Sequence, residues 1–398
     1  MIPLALTACT ATSAIGRGLE ATYASLRSAK GGLAPCRFET AVLDTWVGEV
    51  PDAGAAALPA PLVHEYDCRN NRLAWLGLTT DGFAEAVGHS ASRHGRRRIG
   101  VFLGTSTSGI LETELAYRRR DRASGALPEG FRYRGAHNTF SLAAFARQAL
   151  RLEGPAAVIS SACSSSAKAF ASAQRAIEAG VIDAALVGGV DSLCLTTLYG
   201  FHSLQLVART PCRPFDAARE GISIGEAAAF ALIERAPPSL DAETVLLLGF
   251  GESSDAYHMS SPPPDGRGAR RAMELALERA RLGAADIDYI NFHGTGTASN
   301  DAAEARAVAE ALGREIPGSS TKGATGHTLG AAGALEAVIC ALALQHGLMP
   351  AGVNTSQIDP TLPVRYLLEN RNARLKRVMT NSFGFGGSNC SLILGLAG

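Results

Sequence analysis

A thiol, two imidazoles, an ammonium and a glycine-rich turn stand in four short segments of this chain. They are Ser160-Ser161-Ala162-Cys163-Ser164-Ser165-Ser166, Asn291-Phe292-His293-Gly294-Thr295-Gly296-Thr297, Thr321-Lys322-Gly323-Ala324-Thr325-Gly326-His327, and Asn381-Ser382-Phe383-Gly384-Phe385-Gly386-Gly387-Ser388-Asn389. Cys163 lies between an apolar strand-like run and a small-residue helix. Such a turn exposes a thiol near the positive end of a helix, which favours the thiolate. Its small neighbours leave room for an acyl thioester, and acyl transfer to sulfur is the chemistry expected of it. His293 and His327 sit beside glycines that let backbone approach a ligand closely. Two neutral imidazoles could donate N–H bonds to a thioester carbonyl as it becomes an enolate. Lys322, five residues before His327, is expected to point inward and set the protonation around it.

These residues need elements to hold them. Short apolar runs alternate with alanine-rich stretches, the pattern of α/β units with buried strands. Strands are expected at 99–103, 156–160, 184–188, 230–234, 244–251, 289–293, 379–382 and 390–394, and helices at 166–179, 268–282, 301–312 and 331–346. Ala236-Pro237-Pro238-Ser239 interrupts this pattern. Two prolines stop any regular element, so the chain is expected to divide into residues 1–235 and 236–398. A polar, Arg-rich stretch from Thr105 to Phe140 reads as an irregular insertion.

Composition narrows the classes. The 398 residues are 46% hydrophobic and 19% charged, which is globular, and Lys+Arg equals Asp+Glu at 37 each. No global basic field draws the protein to nucleic acid or anionic lipid, so no partner of either kind is expected. The eight cysteines form no CxxC pair, which argues against a zinc site or disulfide framework and for a reducing cytoplasm. Met1 to Ala14 has no basic residues before its apolar run, and no uninterrupted apolar stretch approaches membrane-spanning length, so neither a leader nor a membrane helix is expected.

The order and wording of the four segments resemble the β-ketoacyl-acyl carrier protein synthases, the Cys-His-His condensing enzymes of the thiolase superfamily. The resemblance implies a duplicated αβαβα five-layer fold. It also implies a decarboxylative condensation of malonyl-carrier protein with an acyl group held on Cys163. Carried over residue by residue, His293 and His327 serve decarboxylation, and Lys322 with Glu336 forms their supporting network. Asp301 and Glu304 match an acidic pair that braces the region, although a helix N-terminus favours carboxylates in any case. Phe385 would gate the acyl pocket, with Phe383 behind it and a backbone N–H of this loop in the oxyanion hole. Thr295 and Thr297 match threonines that bond the phosphopantetheine arm, and Arg69, Arg72, Arg119, Arg120 and Arg209 are candidates for meeting the acidic carrier protein. No metal or cofactor is implied beyond the substrates' phosphopantetheine. The insertion would cover the site and supply dimer contact, with a homodimer expected and a heterodimer with a chain-length-factor paralogue as the alternative.

Two departures mark a divergent branch, Leu4-Ala5-Leu6-Thr7-Ala8-Cys9-Thr10 at the opening and Gly225-Glu226-Ala227 in place of a Gly-Glu-Gly turn. The stretch Ser253 to Met259 is similar to elongating synthases. Asn300-Asp301-Ala302-Ala303-Glu304 more resembles synthases of aryl-polyene pigment pathways. A thiolase would need a second cysteine in a Cys-x-Gly setting, which Cys390 does not offer. A starter-unit synthase would want an asparagine where His327 stands. A chain-length-factor subunit would lack Cys163.

Overall fold

The computed structural model describes every residue of the chain except Pro238, which falls in the expected junction. Two sets of strands repeat one spatial order. In the first, Leu4–Ser13, Ile99–Gly104, Ala156–Ile159, Ala184–Asp191 and Ala227–Arg235, counted one to five along the chain, lie in the order 1-5-4-2-3. In the second, Val245–Ser254, Tyr289–Asn291, Pro317–Ser319, Arg377–Gly384 and Ser388–Leu396 take the same order, with Arg365–Tyr366 added at the edge. Both sets pair antiparallel at 1-5 and 5-4 and parallel at 4-2 and 2-3. They join where the first strands of each meet, Leu4 with Leu247 and Ala5 with Leu246.

Helices complete five layers. Ser165–Glu178 and Ala332–His346 pack on each other between the two strand sets. Arg69–Leu78, Phe83–His94 and Ser141–Ala149 cover the outer face of the first set, and Arg267–Ala280 with Ala298–Ala311 covers that of the second. Small residues permit the central contact, since a Cβ on Gly333 would stand 2.7 Å from Ala167. The helix Ala332–His346 is buried on all sides for most of its length, which explains why it shows no amphipathic stripe. Leu329–His346 is long and apolar enough to cross a membrane, with mean hydropathy 1.5, but the rest of the chain covers most of it. No other helix among the described residues passes that test.

Each expected strand and helix is present, with ends shifted by a few residues. Leu4–Ser13 was not expected as a strand. Its threonines break the apolar run, yet they are β-branched, and two of the three find partners, Thr7 at Glu234 and Thr10 at Asp81, so they suit a strand buried between two neighbours. The Thr105 to Phe140 stretch is more regular than its composition implies, holding a helix at Ile110–Arg118 and a wide helical turn at Tyr133–His137.

Candidate active site

Cys163 sits at the turn between the strand Ala156–Ile159 and the helix Ser165–Glu178. Ala162 before it has φ 53, a left-handed conformation that costs a non-glycine residue about 1–2 kcal/mol. Serine hydroxyls hold the turn. Ser165 Oγ accepts the Ser161 N–H at 2.9 Å and donates to the Ala162 carbonyl at 2.5 Å, while Ser164 Oγ donates to the Ser161 carbonyl at 2.9 Å.

The second strand set supplies the other groups. His293 follows Tyr289–Asn291, and its N–H and that of Gly294 each donate to Glu304 at 2.8 Å. Asp301, one turn earlier on the same helix, accepts the N–H groups of Phe215 and Gly296. Both carboxylates are therefore bonded inward as braces. Lys322 is buried, and its Nζ donates to the His293 carbonyl at 2.5 Å and to Glu336. His327 is tied to the first half, its N–H to the Ser223 carbonyl at 2.7 Å and its carbonyl to the Gly225 N–H at 3.0 Å. Gly326 precedes it at φ 73, where a Cβ would stand 2.9 Å from the Gly225 backbone.

These pieces converge. His327 Nε2 lies 3.1 Å from Cys163 Sγ, and the two imidazoles meet edge-on with centroids 5.3 Å apart. Phe383 packs against His293, with ring centroids 5.8 Å apart. Burial, then the Lys322 ammonium, hold both histidines well below the usual imidazole range, so they are neutral. His327 Nδ1 accepts the Leu329 N–H at 3.3 Å, which assigns the ring proton to Nε2. Burial also pushes the Cys163 thiol up to about 12, against the pull of Lys322 and the Phe385 N–H. Burial thus opposes the thiolate that the helix end was expected to favour.

Cys163, His293 and His327 each present a donor atom within 4.8 Å of the others, a spacing that suits zinc. The Lys322 field that disfavours an imidazolium also disfavours a dication there. Burial raises Glu304 to about 7 against its three hydrogen bonds and likewise raises Glu336 against the pull of Lys322.

An open pocket reaches the three groups, lined also by Thr295, Thr297, Phe383 and Phe385. Thr295 and Thr297 bond each other at 2.9 Å, and Phe385 rests on Phe201 with centroids 5.5 Å apart. Phe201, Asp255 and His258, which had no role assigned from sequence, line the same pocket, as does Asn389 of the fourth segment. Asp255 and His258 lie inside the stretch Ser253 to Met259, so the signal was the motif itself. Of the arginines, Arg119, Arg120 and Arg209 are exposed, and Arg72 pairs with Asp67 at 2.6 Å. Arg69 leaves the docking candidates: it is buried, bonding Glu226 through two nitrogens and Glu49 through one. Glu226, fully buried, also accepts the N–H groups of Val50 and Leu193, and a buried carboxylate of this kind requires the cation it holds.

Comparison with known proteins fits this geometry. The profile of the beta-ketoacyl synthase N-terminal domain matches residues 74–238, and that of the C-terminal domain matches residues 245–356. The chain belongs to the beta-ketoacyl synthase family. Nodulation protein E of Rhizobium meliloti (strain 1021) is 35% identical over 315 residues, 77% of each chain. The 3-oxoacyl-[acyl-carrier-protein] synthase 2 of the same organism is 39% identical over 261 residues, and the match spans 61% of this chain and 61% of that synthase. A chain from the complex of the ketosynthase ApeO with its chain length factor ApeC, from Xenorhabdus doucetiae, superposes with a TM-score of 0.89 at 39% identity, covering 100% of this chain and 98% of that one. The ishigamide ketosynthase/chain length factor gives the same TM-score at 28% identity.

Proposed function

We propose that this chain is a β-ketoacyl-acyl carrier protein synthase that joins an acyl group held on Cys163 to the enolate of decarboxylated malonyl-carrier protein. The observation that carries this is the buried meeting of the Cys163 sulfur with His327 Nε2 at 3.1 Å, beside His293 and above Lys322. Cys163 attacks the acyl thioester of the carrier's phosphopantetheine. The old carbon–sulfur bond breaks, and the thiol proton ends on the departing carrier thiol. The Phe385 N–H and that of Cys163 would receive the tetrahedral oxyanion. Malonyl-carrier protein then takes its place, with Thr295 and Thr297 bonding its arm. The carbon–carbon bond to its carboxylate breaks, carbon dioxide leaves, and the electron pair forms an enolate whose oxygen accepts N–H bonds from His293 and His327. The enolate carbon attacks the Cys163 thioester, and the released sulfur regains a proton from solvent. A neutral imidazole suits the donor role because it holds its N–H without adding a net charge to the pocket.

Arg72, Arg119, Arg120 and Arg209 would steer the acidic carrier protein. A reducing, cytoplasmic setting fits a reaction that needs a free thiol, and all eight cysteines are unpaired. The division into residues 1–235 and 236–398 belongs to the same proposal, supported by the repeated strand order. A heterodimer with a chain-length-factor paralogue is the second reading, favoured by the ketosynthase/chain length factor complexes among the structures it matches. A homodimer remains the first. Native mass spectrometry of the chain alone and co-expressed with such a paralogue separates the two.

The test of the reaction is intact-protein mass spectrometry with saturated, hydroxy-aryl and polyenoyl carrier-protein thioesters, beside Cys163→Ala. A mass gain from one acyl class that vanishes in the variant supports the synthase. No gain from any donor, with or without the paralogue, removes it.

A further inference from the structure

We infer that Asp191, at the end of the strand Ala184–Asp191, is a positioning residue that fixes the tautomer and orientation of the His327 ring through the backbone between them. Asp191 is fully buried, and both of its carboxylate oxygens accept hydrogen bonds. Its Oδ1 accepts from Thr105 Oγ1 at 2.7 Å, the Ser106 N–H at 2.8 Å, the Thr107 N–H at 2.9 Å and Thr107 Oγ1 at 2.8 Å. Its Oδ2 accepts the Gly330 N–H at 2.5 Å. Three of these five bonds come from backbone N–H groups, which can only donate, and the five together oppose the upward push that burial gives this carboxyl.

Gly330 follows Leu329, which is held left-handed at φ 50. Leucine takes that conformation only where the surroundings over-determine it. Here the Leu329 side chain is buried among Phe38, Leu193 and Leu198, and the next peptide is pinned by Asp191. In that conformation the Leu329 N–H turns back onto His327 Nδ1 at 3.3 Å. Nδ1 is thereby an acceptor, and the proton sits on Nε2, the atom that faces Cys163. Glycine is what lets the backbone come so close, since a Cβ on Gly330 would stand 2.8 Å from Asp191 Oδ2 and from Ser106 Oγ. Ser166 on the nucleophile helix adds a second tether, its Oγ accepting the Ala334 N–H at 2.9 Å. The first half thus holds the segment that presents the second half's imidazole. With the other tautomer, Nε2 would lose the N–H that the enolate oxygen needs.

The rate part of this inference rests on the condensing-enzyme reading; the tautomer part does not. The experiment is a long-range 1H–15N correlation spectrum of protein labelled in its nine histidines, with His327 identified by its absence from His327→Ala. The expected wild-type pattern is the Nε2–H tautomer. In Asp191→Asn, which turns a donor toward Gly330, the His327 signals shift toward the Nδ1–H form and malonyl decarboxylation falls about tenfold or more, while acyl transfer to Cys163 changes little. Thr105→Val removes one donor to Asp191 and is expected to move both readouts the same way by less; it carries the test if the asparagine variant does not fold. A folded Asp191→Asn protein with the wild-type His327 pattern overturns the inference, whatever its rate. So does an unchanged pattern in Thr105→Val when Asp191→Asn does not fold. A wild-type protein without decarboxylation would sink the functional reading and leave the tautomer test standing.

Discussion

The two halves share a strand order but leave their third strand in different ways. The first goes from Ala156–Ile159 through a tight serine-held turn straight into the central helix, so Cys163 stands at that helix's end. The second leaves Pro317–Ser319 and inserts a helical turn at Lys322–Thr325 before its own central helix, so Lys322 and His327 occupy the equivalent place. One scaffold position thus carries the proposed nucleophile in one copy and a cation with a hydrogen-bond donor in the other. The short insertion makes the difference. It gives the second copy room to bury an ammonium beneath two imidazoles, while the first exposes a single sulfur to the pocket.

The sharpest way to break this contrast is to remove the first half's contribution. Cys163→Ala is expected to lower condensation by about 10⁴-fold or more, since it deletes the covalent route, as measured by β-ketoacyl product from carrier-bound substrates. Removing the second half's donor should spare acylation. His327→Ala and His293→Ala are expected to retain the Cys163 acyl adduct by mass while malonyl decarboxylation falls about 10²–10³-fold, the typical loss of an oxyanion donor; a variant that loses both steps together would erase the division of labour. Lys322→Met strands the Glu336 carboxylate in the core, and breaking such a pair costs about 3–5 kcal/mol, read as a lower midpoint in denaturant. Glu304 gives a pH signature confined to the second half. Burial raises it to about 7 in the folded protein, so between its unfolded value near 4.5 and about 7 the native state binds the extra proton. Stability from this group is highest at the acid end of that window and falls as pH rises through 7, and Glu304→Gln is expected to flatten that slope in thermal melts. The smallest effect belongs to the contact between halves: Ser166→Ala deletes the acceptor of the Ala334 N–H and should cost about 1 kcal/mol.

What could be read from sequence was what neighbouring residues determine. Cys163 declared itself by an apolar run, a small-residue turn and an alanine-rich helix, all within a few positions. His293, Lys322 and His327 did so by their glycines. The strand Leu4–Ser13 escaped because its long partners lie at 227–235 and 245–254, and nothing near it announces that Thr7 and Thr10 will be bonded. Arg69 was misassigned for the same reason: its partner Glu226 is 157 residues away, and an arginine in a polar run reads as surface until that carboxylate is seen. Asp191 is legible only once Gly330 is beside it, 139 positions on.

The bond between His327 and Cys163 spans 164 residues, and the strand Leu4–Ser13 finds one neighbour only at Ala227–Arg235 and the other at Val245–Ser254. Early in synthesis this strand pairs only at its end, with Gly16–Arg17, and its long partners follow more than 200 residues later. The sulfur at position 163 leaves the ribosome long before the imidazole and ammonium that give it a purpose. A nascent chain on its way to this fold carries a cysteine without these partners, and they reach it late, with the closing of the second half onto the first.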